Sequence, residues 1–259
     1  MPARTRFTDL LMPTLRSVAI TFAIALLAAC STISDPLDRA KPTDAIKLRA
    51  FNETWVEQRL PTKTPTEYRR VQRDGREAIA AYADGSASLM RRQLRVEPDQ
   101  LGSLRVSWLA EELIADADMG SRERDDSPVR IVLAFDGDRS RFSPRDAAAS
   151  ELSMLLTGEP LPYATLMYVW CNQRAPGSVI DNPRTSRIRK IVLESGNAGL
   201  GRWHDYERDV RADFEKAFGE PPGALIGVGL MTDADNTRGR ARAWYGAPQL
   251  LPRRTAGSR

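Results

Sequence analysis

Two clusters of short polar side chains stand out for the chemistry they could do. Asp125 and Asp126 lead through Ser127 and Pro128 to Arg130 and an apolar run, and far downstream Asp233, Asp235 and Asn236 sit within Met231-Thr-Asp-Ala-Asp-Asn-Thr237. Carboxylates and an amide at loop positions are the ligands a hard cation such as Ca²⁺ takes, which makes Asp233, Asp235 and Asn236 a calcium candidate. The loop is not an EF-hand: Thr237 holds the fifth position, and the glycine and distal glutamate that loop requires are missing. The same groups would hydrogen-bond a polar ligand, or satisfy turn backbone while Arg130 neutralises a carboxylate. Carboxylates such as Asp126 and Asp233, if ~5–9.5 Å apart, could instead act as acid and base on a glycosidic bond. Trp244, set among alternating arginines in Arg240-Ala-Arg-Ala-Trp-Tyr-Gly246, is the aromatic expected to be half-exposed and able to stack on a sugar ring. Trp108 and Trp170 read as core.

Imidazole and thiol chemistry are narrowly bounded. His204 is the only histidine and Cys30 and Cys171 are the only cysteines, so a Cys/His zinc centre or a disulfide framework is excluded. No Gly-x-Ser-x-Gly elbow accompanies His204, and its neighbours Trp203 and Tyr206 suggest a packing role. Cys30 has a different meaning. Arg4, Arg6 and Arg16 precede the twelve-residue apolar run Val18 to Ala29, which ends Leu-Ala-Ala-Cys30-Ser31. The run fits a secretory signal and is short of the ~20 residues a membrane-spanning helix needs. Its end resembles a bacterial lipobox, implying cleavage before Cys30, acylation of its thiol, and an outer-membrane anchor facing the periplasm. Cys171 is then a lone thiol, expected to be buried.

The formal net charge of +4 comes from 38 Lys and Arg against 34 Asp and Glu. Setting aside residues 1–29, which hold Arg4, Arg6, Arg16 and Asp9, leaves 35 basic against 33 acidic. Without Arg253, Arg254 and Arg259 at the C-terminus the basic count falls to 32. The remainder is near neutral with no clustered basic face, so no nucleic-acid partner is expected.

The elements that must position these residues read as mostly β. Residues 30–50 form a polar, proline-bearing tether, 51–251 one domain, and 252–259 a disordered tail. Glu67 to Arg73 and Arg76 to Ala83 flank the hairpin signal Asp74-Gly75, and Leu104 to Ala110 alternates with period two. Further strands are expected at Ala87 to Val96, Val129 to Phe135, Tyr163 to Cys171, Arg187 to Leu193, Leu225 to Met231 and Arg240 to Tyr245. Two helices interrupt them. Ser143-Pro144 opens one that runs to Leu156, and Asp209 to Phe218 is stopped by Gly219 and two prolines. Nine or ten strands with two short helices predict an antiparallel β-sandwich, a jelly roll.

Several spaced blocks resemble a bacterial family of exported proteins, domain of unknown function 3047. Its Asp-Asp-x-Pro-x-Arg block falls on Asp125, Asp126, Pro128 and Arg130, and its Tyr-Val-Trp on Tyr168 to Trp170. Its Arg-Asp-Val falls on Arg208 to Val210, and its Thr-Asp-x-Asp-Asn-Thr on Thr232 to Thr237. The chain departs from the pattern at Ala110, where the family often has an aromatic. The resemblance implies a shared fold over about residues 51–250 and no particular activity. At fold level the closing strand–loop–strand is also similar to galactose-binding-like modules. The expectation is a lipid-anchored periplasmic sandwich that binds a polar ligand such as an envelope glycan without catalysis, through Asp125, Asp126, Arg130, Asp233, Asp235, Asn236 and Trp244. A sugar lyase or glycoside hydrolase on the same scaffold, or a purely structural envelope protein, stand as alternatives.

Overall fold

The computed structural model describes residues 55–253. Cys30, the leader, the tether and the last six residues lie outside the described residues. In chain order the strands are β1 (Val56–Arg59), β2 (Glu67–Arg73), β3 (Arg76–Asp84), β4 (Ser88–Val96), β5 (Leu101–Ala110), β6 (Ser127–Phe135) and β7 (Ala164–Cys171). They continue with β8 (Val179–Asp181), β9 (Ile188–Ser195), β10 (His204–Asp209), β11 (Leu225–Asp233), β12 (Arg240–Gly246) and β13 (Gln249–Pro252). Helix α1 (Pro144–Thr157) follows β6 and α2 (Val210–Phe218) follows β10.

Strand order fixes the architecture. One sheet runs β1-β4-β11-β6-β7-β9-β8 and the other β10-β5-β12-β3-β2, with β13 also paired to β5. Without the peripheral strands β1, β2, β8, β9 and β13, the orders are β4-β11-β6-β7 and β3-β12-β5-β10, the alternation that two interlocked Greek keys produce in a jelly roll. The predicted sandwich is the fold.

The strands form where period-two patterning lets one face meet the opposite sheet. Val129, Ile131, Leu133 and Phe135 of β6, Leu166, Tyr168 and Trp170 of β7, and Trp108 of β5 share one buried core. Trp108 and Trp170 are fully buried, as expected, and Cys171 is buried too. β6 lacks alternation because its other face, carrying Arg130 and Val132, is also covered. The β2–β3 hairpin turns at Asp74 and Gly75 with φ of 52° and 75°, the primed turn the Asp-Gly pair favours.

Four strands escape the sequence pattern, among them β13, a four-residue strand paired to β5. β8 has three residues. β10 alternates charged outward residues with half-buried His204, Tyr206 and Arg208, so it reads as a polar segment although it pairs along β5 from His204–Trp108 to Asp209–Ser103. β1 is a short, largely exposed edge strand. One pairing departs from the antiparallel expectation: β8 takes the sheet edge first and β9 fills in between, antiparallel to β8 and therefore parallel to β7.

The two helices are seated in opposite ways. Asp209 caps α2 by accepting from the Ala212 amide at 3.0 Å, and α2 buries Val210 and Phe214, the Phe214 ring 4.7 Å from Phe135. α1 has the expected Ser143 cap, accepting from the Asp146 amide at 3.1 Å, and closes on Gly158 at φ 75°. Its buried residues are Asp146 and Ser150, whereas Leu152, Leu155 and Leu156 face solvent, Leu155 at 82% exposure. A helix that turns its leucines outward is held by polar contacts. Asp146 accepts from the Thr185 hydroxyl and from Ser186 Oγ at 3.2 Å, while Arg139 donates to Ser150 Oγ at 3.1 Å.

Candidate functional site

Asp125 and Asp126 end the β5–β6 connection, Asp233 ends β11, and Asp235 and Asn236 follow it in the β11–β12 turn. Because β6 and β11 are adjacent and antiparallel, both clusters come to the same end of the seven-stranded sheet. Arg130 projects from the outer face of β6, its Nη2 donating to Asp125 Oδ1 at 3.1 Å and to the Asp125 carbonyl at 2.6 Å, and lying 3.0 Å from Asp233 Oδ2. Lys190 of β9, fully buried, donates from Nζ to both Asp125 oxygens at 2.8 and 2.9 Å and to the Met119 carbonyl at 3.0 Å. Asn182 Nδ2 reaches Asp125 Oδ2 at 3.3 Å, and Arg184 lies 3.6 Å from the same oxygen. Asp126 closes the β11–β12 turn: it accepts from the Asn236 amide at 3.1 Å, the Thr237 amide at 2.7 Å and the Thr237 hydroxyl at 2.6 Å. Asp235 pairs with Lys63.

The carboxylates differ in electrostatics. Burial pushes Asp125 up, but Arg130, Lys190 and Arg184 outweigh it and hold the carboxyl below the usual range. Asp233 touches the same arginine, yet burial and the neighbouring Asp235 and Asp126 push it well above the usual range. Burial first, and then the Arg130 charge, lower Lys190 to about 8 despite Asp125. Among the described residues Asp233 Oδ1 and Arg130 Nε have no hydrogen-bond partner.

Asp126, Asp233 and Asp235 each place a carboxylate oxygen within 4.8 Å of the others. The calcium candidate can be tested on this geometry. Arg130, Lys190, Lys63 and Arg184 already pair with Asp125, Asp233 and Asp235, Asp126 is spent on a turn, and the Asn236 side-chain Nδ2 donates to the Arg122 carbonyl at 3.0 Å. Adding a divalent ion would displace these donors, so the set does not fit a Ca²⁺ cage.

The cluster forms one wall of a cleft of about 940 Å³ that crosses the strands on the outer face of the seven-stranded sheet. α1 is the opposite wall, presenting Arg145, Ala149, Ser153 and Thr157 at helical spacing. The floor holds Leu89, Val132, Ala134, Met167, Gly227 and Gly229. Arg145 and Arg184 lie at the β9 edge, tied together by the Asp146–Thr185 bond; Gln58, Leu60 and the Arg91–Glu159 pair lie at the β1 edge. No aromatic side chain lines the cleft among the described residues.

Thus Asp125, Asp126, Arg130, Asp233, Asp235 and Asn236 are brought together, and Trp244 is not. Trp244 lies on the other sheet, turned away from the shared core, 7% exposed beside Leu109 and Ala78, with the Arg73 guanidinium 4.4 Å above its ring. The neighbouring Arg240 and Arg242 are exposed, but an arginine of the adjacent hairpin covers the indole, which corrects the half-exposure expected of it. His204 packs as expected: its ring meets Trp170 edge-on at 5.1 Å, Nε2 is 2.7 Å from the Gly199 carbonyl and Nδ1 3.1 Å from Glu194. Sequence reading missed Lys190, Lys63, Arg184 and the α1 wall. Lys190 stands among basic residues in Arg187-Ile-Arg-Lys190 and looks like a solvated strand position; only the apolar stretch after it hints otherwise.

A model of a protein family of unknown function, DUF3047, matches residues 53–249. The chain belongs to this family. Within DUF3047 the described sandwich accounts for almost the whole matched span. No curated protein sequence matches the chain. Among solved structures, the xyloglucanase domain of NopAA, a type three effector from Sinorhizobium fredii in complex with cellobiose, aligns at TM-score 0.41 and 9% identity, covering 77% of this chain and 93% of that one. A likeness of that size says nothing about ligand.

Proposed function

We propose that this member of DUF3047 is a non-catalytic binding protein of the cell envelope, whose cleft receives a polar ligand such as an envelope glycan. The observation that carries the reading is the cleft itself: one wall is a charge-compensated cluster, and at its β9 edge Arg145 has no acidic partner among the described residues. A compensated cluster is a rigid set of donors and acceptors for hydroxyls, and an unpaired arginine suits a carboxylate or phosphate. With no aromatic in the lining, hydrogen bonds rather than ring stacking would select the sugar. Burial pushes Asp233 toward the protonated form an acid needs, but both Asp126 oxygens are already taken by donors of the β11–β12 turn, which leaves no free carboxylate to act as its partner base.

The Cys30 lipobox supplies the address, an acylated terminus at the outer membrane facing the periplasm. No helix among the described residues is long and apolar enough to cross a membrane. Two experiments test the reading. Radiolabelled palmitate should enter the wild type and not Cys30→Ala; equal labelling removes the anchor. Calorimetry with soluble peptidoglycan and lipopolysaccharide-core fragments should show binding that Arg145→Glu weakens about tenfold, the loss of one charge-assisted contact. Absence of heat with every fragment ends the glycan reading, and turnover of any fragment ends the non-catalytic one.

A further inference from the structure

The cleft exists because both of its long surfaces are built from small residues. Ala149 and Ser153 face it from α1, and Gly227 and Ala134 from the sheet, while Leu89 packs over Gly229. A helix crossing a sheet normally fills that space with its own apolar side chains; here the leucines of α1 point the other way. The floor left between them carries the apolar side chains of Val132, Met167, Leu89 and Leu60. From β9 to β4 it spans four inter-strand spacings of about 4.8 Å, roughly 19 Å in all. An acyl chain occupies half of a hydrocarbon core roughly 30 Å thick, so one chain fits that length. Most charges lining this path are paired, Arg91 with Glu159, Lys63 with Asp235 and Arg130 with Asp125 and Asp233, and Arg92 adds a further cation at β4. Arg145 and Arg184 stand together at the β9 edge, Arg145 without an ion pair among the described residues and Arg184 held by the Arg122 carbonyl and 3.6 Å from Asp125.

We infer that the ligand is an amphiphile, with a single acyl chain lying along the floor beneath α1 and an anionic head group held by Arg145 and Arg184. This rests on the reading of the cleft as the binding site and names the chemical class it takes.

The test uses the full chain carrying Cys30→Ser, so that no lipid of its own is attached, titrated with hexyl, octyl and decyl phosphate below their micellar concentrations. Affinity is expected to rise by up to about fourfold per added methylene, the transfer value for complete burial. Gly227→Phe should abolish the dependence on chain length. A Cβ at Gly227 meets nothing closer than 3.6 Å, so the ring enters the cleft rather than the core. Ala149→Trp fills the same space from the helix and serves if Gly227→Phe fails to fold. Arg145→Glu should weaken all three phosphates by the same factor. Affinity that does not change with chain length, alongside binding of soluble glycan fragments, overturns the acyl inference and leaves the site standing. No binding of alkyl phosphates or glycan fragments overturns both. Decyltrimethylammonium binding as tightly as decyl phosphate overturns the head-group assignment.

Discussion

Asp125 and Asp233 lie on the same arginine and should behave oppositely on mutation. Asp125 is held ionised by Arg130 and Lys190, so Asp125→Asn leaves Lys190 buried without its anion and should cost about 3 kcal/mol in urea denaturation at neutral pH. Asp233 is already pushed toward its neutral form, so Asp233→Asn should cost less than about 1 kcal/mol. The pH slopes differ in sign. A lowered carboxyl contributes stability above the ordinary aspartate range that is lost as pH falls through its folded value; a raised one loses its contribution as pH climbs from that range. Asp233→Asn should therefore gain on the wild type as pH rises from about 4, and parallel curves would refute the assignment. Lys190, lowered to about 8, should show a side-chain NMR titration midpoint there, well below other lysines. Its contribution to stability rises between about 8 and the ordinary lysine range, where the unfolded chain still binds the proton. The Asp and Arg members of this network were legible because short acids beside a strand have few roles. Lys190 was not, because nothing in its local sequence says that Asp125, far away in the chain, will cover it.

The elements were legible in proportion to how much of their signal is local. The ends of α1 are written in Ser143, Pro144 and Gly158, and the β2–β3 hairpin in Asp74-Gly75. The seat of α1 is not, since a leucine stripe ordinarily marks the buried face and here marks the exposed one. β8 and β10 were missed because edge strands need only a short or half-apolar pattern. The seat has a measurable consequence. Although burial pushes Asp146 up, the hydroxyls of Thr185, Ser143 and Ser186 hold it below the usual range, so its support for α1 is lost as pH falls below that range. Asp146→Ala should speed hydrogen exchange of the α1 amides about tenfold at neutral pH with the β6 and β11 amides unchanged. Equal acceleration in the sheet would show that α1 is not an independently opening unit.

For the whole molecule, the family blocks lie where the sandwich needs them: Tyr168 to Trp170 in the core, Arg208 to Val210 at the start of α2, Thr232 to Thr237 at the β11–β12 turn. The jelly roll was legible from the count and spacing of strands; the cleft was not, because it depends on the side chain absent at Gly227 and on the outward turn of the α1 leucines. Since both sheets share one core, tryptophan fluorescence and far-ultraviolet circular dichroism should report a single coincident denaturation transition for the sandwich. Separated midpoints would mean that the sheets unfold apart.

The order in which the strands reach the sheets has a temporal consequence. β11 and β12 are inner strands, one in each sheet, joining β4 to β6 and β3 to β5, yet they come after nearly everything they join. A chain emerging from its N-terminus holds two half-built sheets with unpaired edges until the last strands arrive, and pairings of such long sequence separation close slowly. Folding is thereby deferred to the end of synthesis, when the two inner strands join their sheets.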